Sequence, residues 1–194
     1  MLAVADTISE LLTELGLDSS YATKSLELLE KGESKYLRDL KLNVKSVLNT
    51  EHLTEKETRL LALAIASNDE NAVLQEAFSK QCEEYEASAS EIAEAVACAS
   101  LLANNNVLYR FRHFTQKEKY AQLPGRLRMN IMMKPVTGKA FFELMSLAIS
   151  AVNGCEMCVN AHEQSLLELG SSEERVFDAI RLASVITSLS KVIY

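Results

Sequence analysis

The stretch SSEERVFDAIRLASVI, residues 171–186, decides the fold class. Ser171 and Glu174 have the spacing of a capping box, in which a hydroxyl and a carboxylate satisfy backbone donors at a helix start. Behind them apolar side chains recur at steps of three and four and would form one helical face: Val176, Phe177, Ile180, Ala183 and Ile186. Gly170 fits the end of a preceding helix. The stretch therefore predicts two consecutive helices separated by a glycine.

Similar helix signals occur along most of the chain. Capping-box spacing is also found at Thr7–Glu10, Thr54–Glu57 and Ser88–Glu91, and no segment alternates polar and apolar residues as a half-buried strand would. Six glycines and two prolines are too few for many hairpins. Both prolines fall in the least regular stretch, residues 115–137. We predict an all-α protein of about eight helices, built as a single domain over residues 1–194.

The composition argues against two classes of partner. With 48% hydrophobic and 24% charged residues, the chain has the make-up of an ordinary globular protein. Its net charge of −7 is wrong for general nucleic-acid binding, which needs a broad basic surface. No apolar run reaches the roughly 18 residues of a membrane helix, and MLAVADTISELL lacks the basic start of a secretory signal. We expect a cytoplasmic protein, where closely spaced cysteines are typically catalytic or metal-binding.

Charge is unevenly distributed along the chain. Residues 110–139 contain eight basic residues and one acidic residue, Glu118, whereas residues 69–94 contain eight acidic residues and one lysine, Lys80. The simpler interpretation is that the two stretches pair within the fold or between subunits. The alternative is that the basic stretch is a dock for an acidic partner.

An internal repeat follows from two matches at the same offset of 84 residues. LAIASN (63–68) resembles LAISAV (147–152), and EAVACAS (94–100) resembles DAIRLAS (178–184). We predict two helical repeats, 55–110 and 139–194, linked by an irregular basic segment, 111–138. In this alignment Glu143, Cys155, Cys158 and His162 fall opposite Arg59, Asn71, Leu74 and Phe78. The second repeat thus carries a polar set that packing alone does not require.

That polar set has the composition of a redox centre. In NGCEMCVNAHE (153–163), the Asn153-Gly154 break places Cys155 at or near a helix N-terminus, where the helix dipole favours a thiolate. His162 lies about one turn after Cys158, on the same face. A free thiol is only about 3% ionised at pH 7, so a histidine that accepts its proton and a carboxylate such as Glu143 that orients the histidine would activate it. The second thiol would then attack the oxidised first.

Other interpretations of the cysteines stay open. Zinc accepts two thiolates and a histidine, and Glu163 or Glu143 would be the fourth ligand. A thioredoxin-like domain would need strands beside the pair, which the helical pattern disfavours. Cys98 and Cys82 are interpreted as packing residues. The two remaining histidines, His52 and His113, have no partner in the sequence and are expected at the surface or in packing roles.

The stretch ELMSLAISAVNGCEMCVNAHE (143–163) resembles the alkyl hydroperoxidase D (AhpD) proteins of the carboxymuconolactone decarboxylase superfamily. It has their pattern of a glutamate, eleven residues, Cys-x-x-Cys, three residues and a histidine. NNNVLYRFRHF (104–114) and LRMNIMMKP (127–135) resemble the linking region of the same subfamily. The resemblance implies an all-α fold with a duplicated helical unit, assembled as a homotrimer or a multiple of it.

The resemblance also implies an activity and its partners. The protein would reduce organic hydroperoxides and re-reduce the peroxiredoxin AhpC (alkyl hydroperoxide reductase C). Electrons would come from dihydrolipoamide on a lipoyl-bearing acyltransferase, kept reduced by dihydrolipoamide dehydrogenase. No metal or tightly bound cofactor is implied. The basic stretch 110–139 would be the dock for the lipoyl domain or the peroxiredoxin.

Four residues match the family's proton relay and redox-active disulfide: Glu143, Cys155, Cys158 and His162. By this resemblance Cys158 attacks, deprotonated through His162 and Glu143, and Cys155 resolves. Met157 is a departure, because some relatives carry a histidine there, and direct peroxidase activity is expected to be weaker as a result. The alternative function is a redox-sensing or zinc-binding module without turnover, which would have little need of Glu143. A small-molecule decarboxylase of the same superfamily is a further alternative. Such enzymes do not need the cysteine pair, so its presence argues against this function.

Overall fold

Helices form all the regular structure in residues 2–194, the part of the chain that the computed structural model describes. These residues contain no strand, so the predicted all-α class is confirmed. They also form a single domain, as predicted. Met1 lies outside the described residues. The described chain has ten α-helices, two more than predicted: α1 (Leu2–Glu14), α2 (Lys24–Lys31), α3 (Tyr36–Leu48), α4 (Glu55–Asn68), α5 (Ala72–Glu84), α6 (Ala89–Thr115), α7 (Glu118–Gln122), α8 (Lys139–Val152), α9 (Glu156–Glu168) and α10 (Glu173–Leu189).

Two helices, α4 and α8, form the centre of the core. Thr58–Ala66 of α4 and Phe141–Ser150 of α8 are buried without interruption, as expected of helices covered on all sides. α4 packs on α5, α6 and α10, and α8 packs on α9, α10 and α6. The N-terminal part is added on one side, where α3 contacts both α1 and α10.

Helix bounds repeat at the offset found in the sequence. α4, α5 and the start of α6 lie 84 residues before α8, α9 and the start of α10. The turns match as well, since Glu70 and Gly154, 84 residues apart, both have a positive φ, of 55° and 67° respectively. These bounds support the predicted repeats, 55–110 and 139–194, whose common origin stays a prediction. The predicted link begins later than 111, because α6 continues to Thr115.

The predicted capping boxes are correct in the middle of the chain. Thr54 with Glu57 and Ser88 with Glu91 form complete boxes at the starts of α4 and α6. The box at Thr7 is wrong, because Thr7 lies inside α1. At α10 the cap is Ser172 rather than Ser171. Asn71 caps α5 by accepting a hydrogen bond from the Leu74 amide at 2.9 Å.

The linking segment is tied to the core by a buried carboxylate. Between α6 and α8 the chain forms only α7 and a 3₁₀ turn, Asn130–Met132. Glu94 of α6 accepts the backbone N–H groups of Val136 and Thr137, each at 2.7 Å, immediately before α8 begins. Since hydrogen bonds to a buried charge are among the stronger ones, Glu94 fixes where the segment rejoins the helical core.

None of the helices in the described residues is both long and apolar enough to cross a membrane.

Candidate active site

The cysteine pair lies at the turn between α8 and α9. Gly154 makes this turn with a φ of 67°, which a residue with a side chain seldom adopts. Cys155 is the N-cap residue of α9, so the predicted position at a helix N-terminus is confirmed. A disulfide joins Cys155 to Cys158 across a Cα–Cα distance of 5.3 Å. Its redox activity stays a prediction.

Polar side chains beneath the pair hold the turn in place. Asn153 exchanges side-chain hydrogen bonds with Asn68 of α4 and donates to Asn106 of α6 at 3.0 Å. Asn106 in turn donates to Ser150 at 3.0 Å, and Arg110 donates to the Asn153 carbonyl at 2.9 Å. A buried polar network of this kind is rigid when its members are paired, so the cysteines sit on a fixed support.

Glu143 and His162 are in direct contact. Glu143 is on the buried face of α8, and its Oε2 lies 2.6 Å from Nδ1 of His162 on α9. The carboxylate therefore holds Nδ1 and turns the other ring nitrogen, Nε2, away from itself. His162 also lines the same cavity as Cys158. The structure thus brings together the four residues that the sequence singled out.

Lys139 is a further member of the site that the sequence reading counted only as part of the basic stretch. Its Nζ lies 2.7 Å from Oε1 of Glu143 and donates to the Met132 carbonyl at 3.0 Å. The two carboxylate oxygens of Glu143 are therefore engaged separately, one by Lys139 and the other by His162. The four-residue spacing of Lys139 and Glu143 on a helix was a signal that could have revealed the pair.

These contacts keep Glu143 charged. Burial would by itself raise the pKa of the Glu143 carboxyl, but hydrogen bonds from His162 and Lys139, together with their charges, outweigh it. The pKa of Glu143 is consequently lowered from its ordinary value of 4.5. A carboxylate that is ionised at neutral pH can orient His162 and stabilise the positive charge the ring gains on accepting a proton.

Lys139→Met is expected to raise the pKa of Glu143, because the variant loses both the hydrogen bond and the charge that lower it. Glu143 would then become protonated at a higher pH, so the acidic limb of kcat/KM for cumene hydroperoxide should move to higher pH. The pH at which the fold loses the stabilising contribution of Glu143 should also move to higher pH. The ionised carboxylate stabilises the fold above the ordinary pKa of 4.5, and this contribution is lost as pH falls through the lowered pKa.

Lys134→Met is the control for this change. Lys134 is exposed and makes no ion pair or hydrogen bond within residues 2–194, so its removal should leave the acidic limb in place. An unchanged limb in Lys139→Met as well would contradict the assigned role of Lys139.

An apolar cavity of about 280 Å³ opens beside Cys158. Its lining comes from three separate parts of the chain, α6, the linking segment and α9: Leu102, Asn105, Tyr109, Met129, Met132, Met157, Cys158, Ala161 and His162. Cys155 does not line it and is only 1% exposed, compared with 6% for Cys158. Of the two sulfurs, that of Cys158 is therefore the one that a molecule in the cavity would meet.

The remaining two cysteines and two histidines lie outside the candidate site. Cys82 and Cys98 are buried and form no disulfide, in line with the predicted packing role, and burial raises the pKa of each thiol to about 12. His52 lies 2.9 Å from Asp178, and His113 lies 3.4 Å from Glu156. Neither of these partners is evident from the sequence, because both are distant from the histidine along the chain.

The structure bears on two of the alternatives. Within residues 2–194, no group of three or more His, Cys, Asp or Glu side chains is arranged to hold a metal ion. No ion pair in that range joins the basic stretch 110–139 to the acidic stretch 69–94, whose contact is the pair of backbone hydrogen bonds that Glu94 accepts, and pairing of their charges between subunits stays a prediction. Arg110 and Arg112 bind backbone carbonyls instead, whereas Arg126 and Arg128 are exposed.

The second half of the chain, which contains the whole site, matches a known family. The pattern of the carboxymuconolactone decarboxylase family matches residues 118–192. This range includes Lys139, Glu143, both bonded cysteines and His162.

Several curated proteins are similar over most of their length. The alkyl hydroperoxide reductase AhpD of Anaeromyxobacter dehalogenans (strain 2CP-C) is 41% identical over 162 residues, 84% of this chain and 87% of the relative. The protein of the same name from Solibacter usitatus is 40% identical over 168 residues, 87% of this chain and 94% of the relative. That of Coxiella burnetii (strain Dugway 5J108-111) is 39% identical over 160 residues, 81% and 90% respectively.

Proposed function

The chain belongs to the AhpD family of alkyl hydroperoxide reductases, within the carboxymuconolactone decarboxylase superfamily, and on that premise we propose that it is a dithiol peroxidase acting on organic hydroperoxides. Cys155 and Cys158 would cycle between dithiol and disulfide, and Glu143 and His162 would relay the proton. The observation that carries the proposal is the contact of Glu143 with His162 beside an apolar cavity that exposes Cys158 and not Cys155.

The proposed reaction runs in three steps. His162 takes the proton of the Cys158 thiol, and the thiolate attacks the distal oxygen of the hydroperoxide. The O–O bond breaks, Cys158 becomes a sulfenic acid, and the hydroperoxide leaves as an alcohol that takes up the proton. The Cys155 thiol then attacks the sulfenic sulfur, releases water and closes the disulfide. Two electrons from a dithiol reopen the disulfide by thiol–disulfide exchange.

For the electron donor and acceptor proteins we propose those expected from the sequence. Dihydrolipoamide on a lipoyl-bearing acyltransferase, regenerated by dihydrolipoamide dehydrogenase, would reduce the disulfide, and the dithiol would in turn re-reduce AhpC. Such a cycle requires a reducing compartment, which is the cytoplasm predicted above. No tightly bound cofactor is needed, because sulfur carries the electrons.

We also propose that the chain works as a homotrimer or a multiple of it. Large apolar side chains stand exposed on α6, the linking segment and α10: Val107, Phe114, Met133, Val136 and Phe177. Where such side chains lie together in one patch, the patch is typically covered by another subunit. The mass in solution, measured by light scattering, tests this directly.

The test of the function follows the thiols of the reduced protein after mixing with cumene hydroperoxide. Rapid loss of the Cys155 and Cys158 thiols, return of both on addition of dihydrolipoamide and no bound zinc would support the proposed cycle. Thiols that react only after zinc has been stripped would identify a zinc-binding module. Thiols that oxidise once but are not returned by the dithiol would identify a redox sensor without turnover.

Arg126→Glu combined with Arg128→Glu is expected to weaken the reaction with a protein partner. Both side chains are exposed, and reversal of their charge would repel an acidic lipoyl domain or peroxiredoxin. KM for the protein partner should rise about three- to tenfold at low salt and the difference should shrink at high salt. Lys24→Glu combined with Arg38→Glu makes the same charge change on α2 and α3 and is the control. Equal turnover by both double variants at low salt would exclude the basic dock.

A further inference from the structure

Three methionines line the cavity beside Cys158. Met157 is next to Cys158 on α9, while Met129 and Met132 come from the linking segment. A thioether is a soft nucleophile that hydroperoxides convert to the sulfoxide. A hydroperoxide held in this cavity therefore lies close to three side chains that it can oxidise.

When the Cys155–Cys158 disulfide is closed, the methionine thioethers are the sulfur groups of the cavity that can still react with a peroxide. Once Cys158 is bonded to Cys155, it has no thiolate with which to attack a peroxide. A hydroperoxide that enters the cavity before the disulfide has been reduced then meets the methionines. This state becomes common when peroxide arrives faster than reducing equivalents do.

The three methionines are not equally available. The Met129 sulfur accepts a hydrogen bond from the Asn105 amide at 3.2 Å, which withdraws electron density from it. Met132 is partly buried and packs against the core. Met157 is 41% exposed, and its sulfur makes no hydrogen bond within the described residues. Met157 is therefore the most exposed of the three methionines that line the cavity.

We propose that Met157 is a sulfoxidation site, oxidised by organic hydroperoxides that bind beside the closed disulfide. Only the identity of the oxidant rests on the proposed function. The distal oxygen of the hydroperoxide passes to the Met157 sulfur, the O–O bond breaks, and the remaining oxygen takes up the proton and leaves as the alcohol. Sulfur loses two electrons and the peroxide gains them. Sulfoxide formation places a polar group in an apolar cavity and would weaken further binding of apolar hydroperoxides until a methionine sulfoxide reductase removes it.

The experiment uses the disulfide form, without any thiol reductant, so that no turnover is needed. The protein is treated with cumene hydroperoxide or with hydrogen peroxide, each at the dose that oxidises half of Met133, and methionine sulfoxides are located by peptide mass spectrometry. Met133 is the internal control because it is 83% exposed and does not line the cavity. Exposure alone would favour Met133 over Met157 with both oxidants.

The ratio of Met157 to Met133 oxidation should be about tenfold higher with cumene hydroperoxide, because a ligand held beside the sulfur reacts at a high effective concentration. Ala161→Phe, which fills the cavity, should return the ratio to that seen with hydrogen peroxide. Equal ratios for the two oxidants, earlier oxidation of Met129 or Met132, or a preference that survives Ala161→Phe would each overturn the proposal. A preference for Met157 in a protein whose free thiols ignore cumene hydroperoxide would leave the methionine site standing and reject the proposed function.

Discussion

Cys158→Ser is expected to lower the rate of cumene hydroperoxide reduction by at least about 10³-fold, because a serine hydroxyl is not ionised at neutral pH and cannot replace the attacking thiolate. Of the two bonded cysteines, Cys158 is the one that lines the cavity, and His162 lines the same cavity. The rate is measured in steady state with a small dithiol as donor. Intact protein and variant are compared at equal thiol-reductant concentration.

The other cysteines separate this role from a general effect of thiol loss. In the absence of added dithiol, Cys155→Ser should still give a single burst of about one peroxide per chain, since Cys158 can attack once but has no partner with which to close the disulfide. Cys82→Ala is the control, because Cys82 is buried, unbonded and has its pKa raised to about 12. A burst that survives in Cys158→Ser and disappears in Cys155→Ser would reverse the assigned roles.

Glu143→Gln is expected to lower kcat/KM for hydroperoxide by about 10²- to 10⁴-fold at pH 7, the usual contribution of a positioned proton relay. Glutamine keeps the shape of the side chain but not the charge that holds Nδ1 of His162 and pairs with Lys139. The loss should narrow as the pH approaches the ordinary thiol pKa of about 8.5, because Cys158 then ionises without a base. The pH profile of kcat/KM is the measurement.

Glu163→Gln is the matched control. Glu163 follows His162 directly on α9 and makes no hydrogen bond or ion pair within the described residues, so its neutralisation should leave the profile unchanged. A loss in Glu143→Gln that is the same at every pH would indicate damage to the fold in place of a lost relay. Equal losses in both variants would point to a shared ligand role, as in a zinc site.

Local signals in the sequence predicted the parts of the fold that depend on neighbouring residues. Thr54 and Ser88 cap their helices as their spacing indicates, because a capping box is complete within four residues. Thr7 has a similar spacing, yet α1 continues through it. The count of helices was too low because helices such as α2 and α7, with eight and five residues, are too short to show a periodic apolar pattern.

In the candidate site, too, local sequence signals predicted some features and missed others. The placement of Cys155 at the start of α9 followed from the Asn153-Gly154 break, and the contact of His162 with Glu143 agrees with the family pattern. The cavity was not predicted, since its wall combines residues of α6 with methionines 20 to 30 positions further along the chain, in the linking segment. These residues come together because Glu94 anchors the linking segment to α6. A long-range contact of this kind leaves no periodic pattern in the sequence.

The two equivalent cap positions, Asn71 and Cys155, show a trade between stability and reactivity. Asn71 accepts the Leu74 amide and closes the first turn of α5, whereas Cys155 makes no side-chain hydrogen bond at the start of α9. A side-chain cap is worth about 1 kcal/mol to a helix. The second repeat therefore keeps the geometry of the first but leaves the opening turn of α9 less well held. A reactive group occupies the place where a stabilising one would fit. Once the disulfide between Cys155 and Cys158 has been reduced, the first turn of α9 should be among the first parts of the second repeat to open.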